Sequence, residues 1–200
     1  EKSELKIAKI RELVRCFGQP FADSSILPTS FVCSLIANHV TVALSGDGSD
    51  EIFMGYDKYH SEKAFEEKVF RNSDTRFLKL QETSRRMKIV KDIIPNFDNL
   101  SEVEKINQFD IRIFLEGDIL QKVDRLSMLN SLEVRSPFLD HRLVDISLEM
   151  ELQQLIYDKK GKYFLKELLK EDFDDDFIYR DKIGFMLQID EWREEIINLL

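Results

Sequence analysis

The residues best suited to chemistry lie at 45–51, where the sequence reads S-G-D-G-S-D-E. They follow residues 40–44, a short apolar run rich in β-branched side chains that predicts a buried parallel strand. A helix-like stretch comes next, at residues 52–56. Strand, glycine loop and helix start is the arrangement with which α/β sheets bind phosphate, because glycine lets the backbone approach the ligand and free N–H groups attract anions.

The acidic side chains of this loop, Asp47, Asp50 and Glu51, would repel a phosphate directly. They become useful if Mg²⁺ lies between carboxylate and phosphate. An ordinary helix N-terminus whose acids favour the helix dipole has the same spacing. Because short glycine motifs recur by chance, spacing alone leaves both interpretations open.

A second constellation, residues 124–140, interleaves charged groups with core-forming residues. This pattern favours a structural ion-pair network, for instance Glu133 or Asp124 with Arg125 or Arg135, over direct catalysis.

A third segment, Y-R-D-K-I-G-F at residues 179–185, places two cations beside a glycine. These cations could reach a triphosphate or pyrophosphate, but taken alone the segment is more typical of a basic surface turn. The three histidines share no spacing with a serine or cysteine nucleophile, so no catalytic triad is predicted.

The elements that must position these residues are mostly helical. Apolar spacing predicts helices over residues 5–14, 31–36 and 119–126, with a loop over residues 18–25, and the charged stretch 57–116 is helix-biased. Residues 132–135 alternate and should be extended, Asp140 is placed to cap a helix, and the acidic run 171–176 predicts a solvated turn. One convincing strand among helices suits the far half of a doubly wound sheet whose other strands precede Glu1.

Composition excludes several partners. The chain has 200 residues, 29 Lys and Arg against 38 Asp and Glu, and a formal charge of -9. Such a surface repels phosphate backbones and anionic lipid, so we expect neither nucleic acid nor membrane as a partner.

Cys16 and Cys33 suit reduced core thiols of a cytoplasmic protein. The chain starts without methionine, which suggests a piece of something longer.

Four segments in order resemble the C-terminal synthetase domain of glutamine-hydrolysing asparagine synthetases. Residues 20–29, P-F-A-D-S-S-I-L-P-T, match one family motif, and residues 45–56 match another. Residues 124–144 match the family's D-R-x-S-M-x-x-S-L-E-V-R-x-P-F-L-D-H-R-L-V almost letter for letter, and residues 179–185 match Y-R-x-K-x-G-F. Small departures at Ser49, Met54 and Ile183 leave the charged positions intact.

The resemblance implies an α/β fold of the Rossmann-like adenine nucleotide alpha hydrolase (PP-loop ATP pyrophosphatase) type, of which this chain is a predominantly α-helical part. It implies ATP-dependent, Mg²⁺-dependent activation of an aspartate-like carboxylate as an acyl-adenylate, followed by attack of glutamine-derived ammonia. An N-terminal glutaminase domain with a terminal Cys nucleophile would supply that ammonia.

The resemblance also implies roles for individual residues. Ser45 and Gly46 would contact the nucleotide, and Asp50 would hold magnesium and pyrophosphate. Asp47 would lie at the reaction centre, and Lys182 would neutralise charge on the phosphates. The acceptor carboxylate would lie near a further set of residues, Asp23, Ser24 and Ser25.

The family's pyrophosphate loop, S-G-G-x-D-S, does not occur in the chain. We therefore expect residues 1–200 to be the later part of one synthetase domain, with this PP-loop and the glutaminase domain elsewhere. Alternatives are a relative that amidates or cyclises another carboxylate (a sugar acid, a peptide or a β-lactam precursor) and a non-catalytic interaction module. The sequence leaves a homodimer open.

Overall fold

Helices dominate this computed structural model, which describes residues 2–19, 21, 23, 25–60, 64–69 and 80–180. The α-helices are α1 (Lys2–Phe17), α2 (Ile26–Ile36), α3 (Ser49–Ile52), α4 (Phe65–Val69), α5 (Leu80–Ile93), α6 (Glu102–Phe109), α7 (Gln121–Met128), α8 (His141–Glu149), α9 (Leu152–Leu155), α10 (Tyr163–Leu169) and α11 (Asp175–Ile178). The strands are β1 (Val42–Leu44) and β2 (Glu133–Arg135), with 3-10 turns at Asp57–His60, Phe97–Asn99 and Pro137–Leu139 and a π-helix at Asp110–Leu120.

The described residues fall into two compact units. The first contains the residues up to Ser45 and residues 118–135, and the second contains residues 46–117 and 136–180. Mostly helical structure with a small parallel sheet is consistent with the predicted α/β class. None of the helices among the described residues has the length and apolar character needed to cross a membrane.

The first unit packs α1, α2 and α7 around one apolar cluster. Its buried members come from all three helices and from the chain before β2: Leu13, Phe17, Leu27, Cys33, Leu126 and Leu132. Cys33 lies in this core and Cys16 is half-buried, and neither is in a disulfide, in agreement with the predicted reduced cysteines.

The sheet pairs β1 with β2 in parallel, with Ala43 opposite Val134. The extended segment at 132–135 is therefore a second strand, and the parallel character predicted for residues 40–44 is confirmed. Their predicted burial is wrong, because Val42 is 42% exposed and Leu44 is 74% exposed. The apolar run identified the strand but carried no information about which elements cover it.

Helix α2 forms where its apolar residues predict, but it buries a different face from the one they suggested. Phe31, Val32 and Leu35 are exposed, whereas Leu27 and Cys33 are buried. Because α2 is apolar around most of its circumference, its sequence does not choose the inward face, and packing against α7 does.

The second unit has a larger core, which includes the side chains that follow the glycine loop. Ile52 and Phe53 are buried with residues from α5, α6 and α9, and Phe65 meets Phe97 edge to face with ring centroids 5.1 Å apart. Where described, residues 57–116 are largely helical, as predicted.

Two predicted surface features of the second unit are confirmed. Asp140 caps α8, because its carboxylate accepts from the Arg142 N–H at 3.0 Å. The acidic run 171–176 is exposed, and within it Asp174 caps α11 by accepting from the Phe177 N–H at 3.0 Å.

The ion-pair network expected in residues 124–140 forms only in part. Arg135 pairs with Glu133 at 2.7 Å on the surface, as predicted. Arg125 instead donates to the backbone carbonyls of Cys16, at 3.1 Å, and Phe17. These carbonyls belong to the last turn of α1, where carbonyl groups have no N–H donor within the helix. Arg125 therefore stabilises the C-terminal end of α1.

This difference predicts unequal effects on stability from two similar substitutions. We expect Arg125→Met to lower the free energy of unfolding by about 1.5–3 kcal/mol, the usual range for hydrogen bonds from a charged group. Arg135→Met should change it by less than about 0.5 kcal/mol, because its ion pair is solvent-exposed. Urea unfolding of both variants measures this, and equal losses would contradict the assignment.

Candidate functional site

The glycine loop lies directly after the C-terminal end of β1, as the sequence predicts. Within this loop Gly48 has φ +87°, a left-handed conformation that residues with a side chain rarely adopt. A Cβ there would also lie 2.2 Å from the Leu139 Cδ2 atom. Leu139 belongs to the 124–140 segment, so two of the sequence motifs meet in the second unit at a position that strongly favours glycine.

Asp50, the predicted magnesium ligand, faces a lysine that the sequence analysis did not single out. The Lys162 Nζ atom lies 3.1 Å from Asp50 Oδ1, and it donates a hydrogen bond of 2.9 Å to the Ser49 hydroxyl. About a quarter of each charged side chain is exposed. A cation is therefore placed on the motif's carboxylate by a residue more than a hundred positions away.

The backbone holds Lys162 in a strained and well-anchored position. Lys162 itself is left-handed, with φ +55°, and its N–H donates to the Phe53 carbonyl at 3.0 Å. It follows a tight hairpin in which Asp158 and Lys159 also have positive φ. Left-handed backbone is costly for such residues, and it persists where the surroundings impose it, often near functional sites.

Two further glycines make room for this arrangement. A Cβ on Gly161 would lie 2.1 Å from the Met54 carbonyl oxygen. A Cβ on Gly55 would lie 2.1 Å from Asp50 Oδ1 and 2.4 Å from Lys162 Cε. The glycine that precedes Tyr56 thus leaves the space in which the Asp50–Lys162 pair forms.

Glu51, the last residue of the motif, points into the core instead of toward a ligand. It is 1% exposed, and its carboxylate accepts from the Tyr56 hydroxyl at 2.5 Å. The Asn107 side chain donates to the Glu51 carbonyl at 2.7 Å. Burial raises the pKa of Glu51 despite the hydrogen bond from Tyr56. The hydrogen bonds of Glu51 therefore anchor α3 to the core. Asp50, the preceding residue, is the candidate ligand.

A second buried carboxylate supports the chain that follows the motif. Asp110 is fully buried and accepts from the Tyr59 hydroxyl at 2.5 Å and from Lys58 Nζ at 2.6 Å. Burial raises the pKa of Asp110, and the charge of Lys58 acts in the opposite direction. The Lys58 ammonium also lies 4.8 Å from the centroid of the Tyr56 ring. No sequence pattern marked these contacts, because their partners are about fifty residues apart.

The proposed acceptor residues of the first unit form a separate charged cluster. Asp23 accepts from the Ser25 N–H at 2.9 Å and from the Ser25 hydroxyl at 2.6 Å. It also pairs with Lys122, whose ammonium donates to the Ser25 hydroxyl at 2.6 Å and whose side chain is only 7% exposed. Asp118 lies 3.6 Å from the same ammonium. Lys122 and Asp118, which the sequence analysis missed, thus organise this segment.

The pKa values of the two carboxylates in this cluster are shifted in opposite directions. Burial alone would raise the pKa of Asp23, but hydrogen bonds from Lys122 and Ser25 lower it below its ordinary value. Burial and the neighbouring charge of Asp23 raise the pKa of Asp118 from 3.8 to about 6. One lysine is therefore shared by a carboxylate that stays ionised and one that titrates near neutrality.

The structure thus groups the predicted residues by unit. Asp23, Ser25 and Ser45 lie in the first unit. The Ser45 N–H extends the sheet by donating to the Arg135 carbonyl at 2.9 Å. Gly46, Asp47 and Asp50 belong to the second unit. The remaining two predicted residues, Ser24 and Lys182, lie outside the described part of the chain.

The donor set around Asp50 fits a magnesium ion that arrives with phosphate. Among the described residues, none of the groupings of His, Cys, Asp and Glu contains three members that could hold a metal. Mg²⁺ commonly uses one or two carboxylates and completes its shell with phosphate oxygens and water. The contact of Lys162 with Asp50 shows that this carboxylate accommodates a cation.

The two loop glycines predict contrasting effects on stability. Gly48→Ala should cost about 1–2 kcal/mol for the left-handed backbone alone, and more because of the contact with Leu139. Gly46→Ala should leave the unfolding free energy nearly unchanged, because a Cβ there meets no atom of the described residues within 4 Å. Thermal unfolding compares them, and similar losses in both variants would show that the loop geometry is wrong.

The raised pKa of Asp118 predicts a pH-dependent stability. The folded state holds this proton to a higher pH than the unfolded state does, so the free energy of unfolding falls as pH rises from 3.8 to about 6. Asp118→Asn removes this fall. The stability of the variant relative to the wild type should increase over that window and then level off, as measured by urea unfolding at several pH values. A pH-independent difference would contradict the assignment.

Comparison with known proteins gives the family. The chain matches the asparagine synthase family over residues 2–200. It is 28% identical over 95% of its length to the glutamine-hydrolyzing asparagine synthetase 1 of Bacillus subtilis, of which it covers 37%. It is 30% identical over 82% of its length to asparagine synthetase 3 of the same organism, of which it covers 29%.

A putative glutamine-hydrolyzing asparagine synthetase of Mycobacterium tuberculosis is 27% identical over 93% of the chain, which covers 36% of that protein. The chain thus spans about a third of the length of the curated relatives that it matches. A family match over nearly every residue, together with the loop geometry described above, leads to one conclusion: the chain belongs to the asparagine synthase family.

Proposed function

We propose that the protein containing this chain forms an amide on aspartate, through an acyl-adenylate made from ATP, with ammonia derived from glutamine. The observation that carries this proposal is the Asp50–Lys162 pair directly after the glycine loop. It supplies a carboxylate for a metal and a cation for phosphate, the two charges that adenylate chemistry needs. The names of the relatives support the reaction class.

This chemistry assigns a role to each of the predicted site residues. Ser45 and Gly46 contact the nucleotide, and Asp47, which is half-buried, lies at the reaction centre. Asp50 holds Mg²⁺, which neutralises charge on the pyrophosphate when it is bound. Lys182 adds a second cation to the leaving group. The PP-loop of a Rossmann-like domain and the glutaminase domain belong to other parts of the full-length protein.

The charged cluster of the first unit supports an amino acid as the acceptor. Asp23 is held ionised by Lys122, and Asp118 adds a second carboxylate whose pKa is about 6. Above that pH the three side chains carry a net charge of about -1. Such a charge suits the ammonium group of an amino acid. The acceptor lies near Asp23, Ser24 and Ser25, and the Ser25 hydroxyl helps to hold Asp23 by donating to its carboxylate.

Substitution of Asp50 and Lys182 tests the proposal in the full-length protein. Asp50→Asn keeps the size of the side chain and removes its charge, and Lys182→Ala removes a cation. Each should lower aspartate-dependent pyrophosphate release on the order of a hundredfold or more, the usual loss for a preorganised electrostatic contact. Glutamate release from glutamine should persist, because another domain carries out that reaction.

Two results would overturn parts of this proposal. Near-normal pyrophosphate release from both variants would leave Asp50 with a helix-end role and Lys182 with a surface role. Wild-type release that depends on a sugar acid, a peptide or a β-lactam precursor instead of aspartate would replace the acceptor and leave the adenylate chemistry in place.

A further inference from the structure

The fold places the ammonium group of Lys162 beside the glycine motif. Its backbone is anchored by the hydrogen bond to Phe53, and the glycines at 55 and 161 leave space for its side chain and its backbone. The hairpin before it contains two lysines, but Lys159 is exposed and Lys160 lies 4.4 Å from the centroid of the Tyr179 ring. Of these three lysines, Lys162 is the one with a described contact to Asp50.

An ammonium and a magnesium ion compete for the negative charge of one carboxylate. Mg²⁺ binds carboxylate oxygen at about 2.0–2.1 Å. The Lys162 ammonium lies 3.1 Å from Asp50 Oδ1, so both ions at once would place two mutually repelling positive charges on one carboxylate. Because the backbone of Lys162 is fixed and its four-carbon side chain is flexible, its ammonium can leave Asp50 without displacing the chain.

We propose that Lys162 is an exchangeable counter-ion: it neutralises Asp50 when no metal is bound, and it transfers to phosphate oxygens when Mg²⁺ takes over the carboxylate. This inference rests on the proposed function. The ammonium has three N–H donors, and the described contacts with Ser49 and Asp50 direct it toward the loop. Once released from Asp50, the ammonium would keep its hydrogen bond to Ser49 and would be able to donate to a phosphate oxygen as a point charge.

Pyrophosphate binding to the full-length protein, measured by isothermal titration calorimetry with and without Mg²⁺, tests the exchange. Wild-type binding should depend strongly on Mg²⁺. Asp50→Asn should bind pyrophosphate about fivefold more tightly than wild type in the absence of Mg²⁺, because Lys162 is released, and fivefold is the upper scale for a partly exposed ion pair. The double variant Asp50→Asn, Lys162→Met should lose this gain, whereas the matched control Lys159→Met should behave as wild type.

The outcomes separate this inference from the proposed function. Wild type that binds no pyrophosphate even with Mg²⁺ would overturn the proposed function and the exchange with it. Mg²⁺-dependent wild-type binding without a metal-free gain in Asp50→Asn would overturn the exchange alone, and Lys162 would then be a permanent structural partner.

Metal binding provides a second measurement that does not need Asp50→Asn to fold. Lys162→Met should bind Mn²⁺ alone about two- to fivefold more tightly than wild type, because its competitor is gone. Electron paramagnetic resonance of free Mn²⁺ measures this affinity. Unchanged or weaker Mn²⁺ binding, with Lys159→Met as the reference, would overturn the exchange.

Discussion

The contact between Asp50 and Lys162 is the constraint on which the second unit's candidate site depends. It joins a loop residue to a hairpin that is far away in sequence, and the space for it exists because residue 55 is glycine. The left-handed backbone of Lys162 is unfavourable in free energy, and the surrounding contacts must offset that cost. A functional need to hold the ammonium beside a ligand would explain why this conformation is kept.

The buried network beneath the motif explains how the loop can be held firmly without its own long helix. Helix α3 has only four residues, so it contributes little stability by itself. Glu51 and Asp110 replace it with hydrogen bonds to Tyr56 and Tyr59 inside the core. Two buried acidic side chains with raised pKa values therefore support the loop, while their half-buried neighbour Asp50 pairs with Lys162.

The sequence predicted contacts that depend on local spacing and missed those that depend on tertiary structure. It placed the glycine loop after a strand and assigned Asp140 as a helix cap, because both are local patterns. It did not find Lys162 or Lys122, since a lysine carries no signal of its distant partner. It also could not choose the buried face of α2 or the exposure of β1, because continuous apolar runs lack the periodicity that marks one face.

The central claim is that an acceptor carboxylate is activated as an adenylate, and isotope transfer in the full-length protein tests it most directly. Aspartate labelled with ¹⁸O in its side-chain carboxylate would be converted in the presence of ATP, Mg²⁺ and ammonia. The products would then be analysed by mass spectrometry. An acyl-adenylate predicts one ¹⁸O atom in the phosphate of AMP. Label in inorganic phosphate, or AMP without label, would contradict the account.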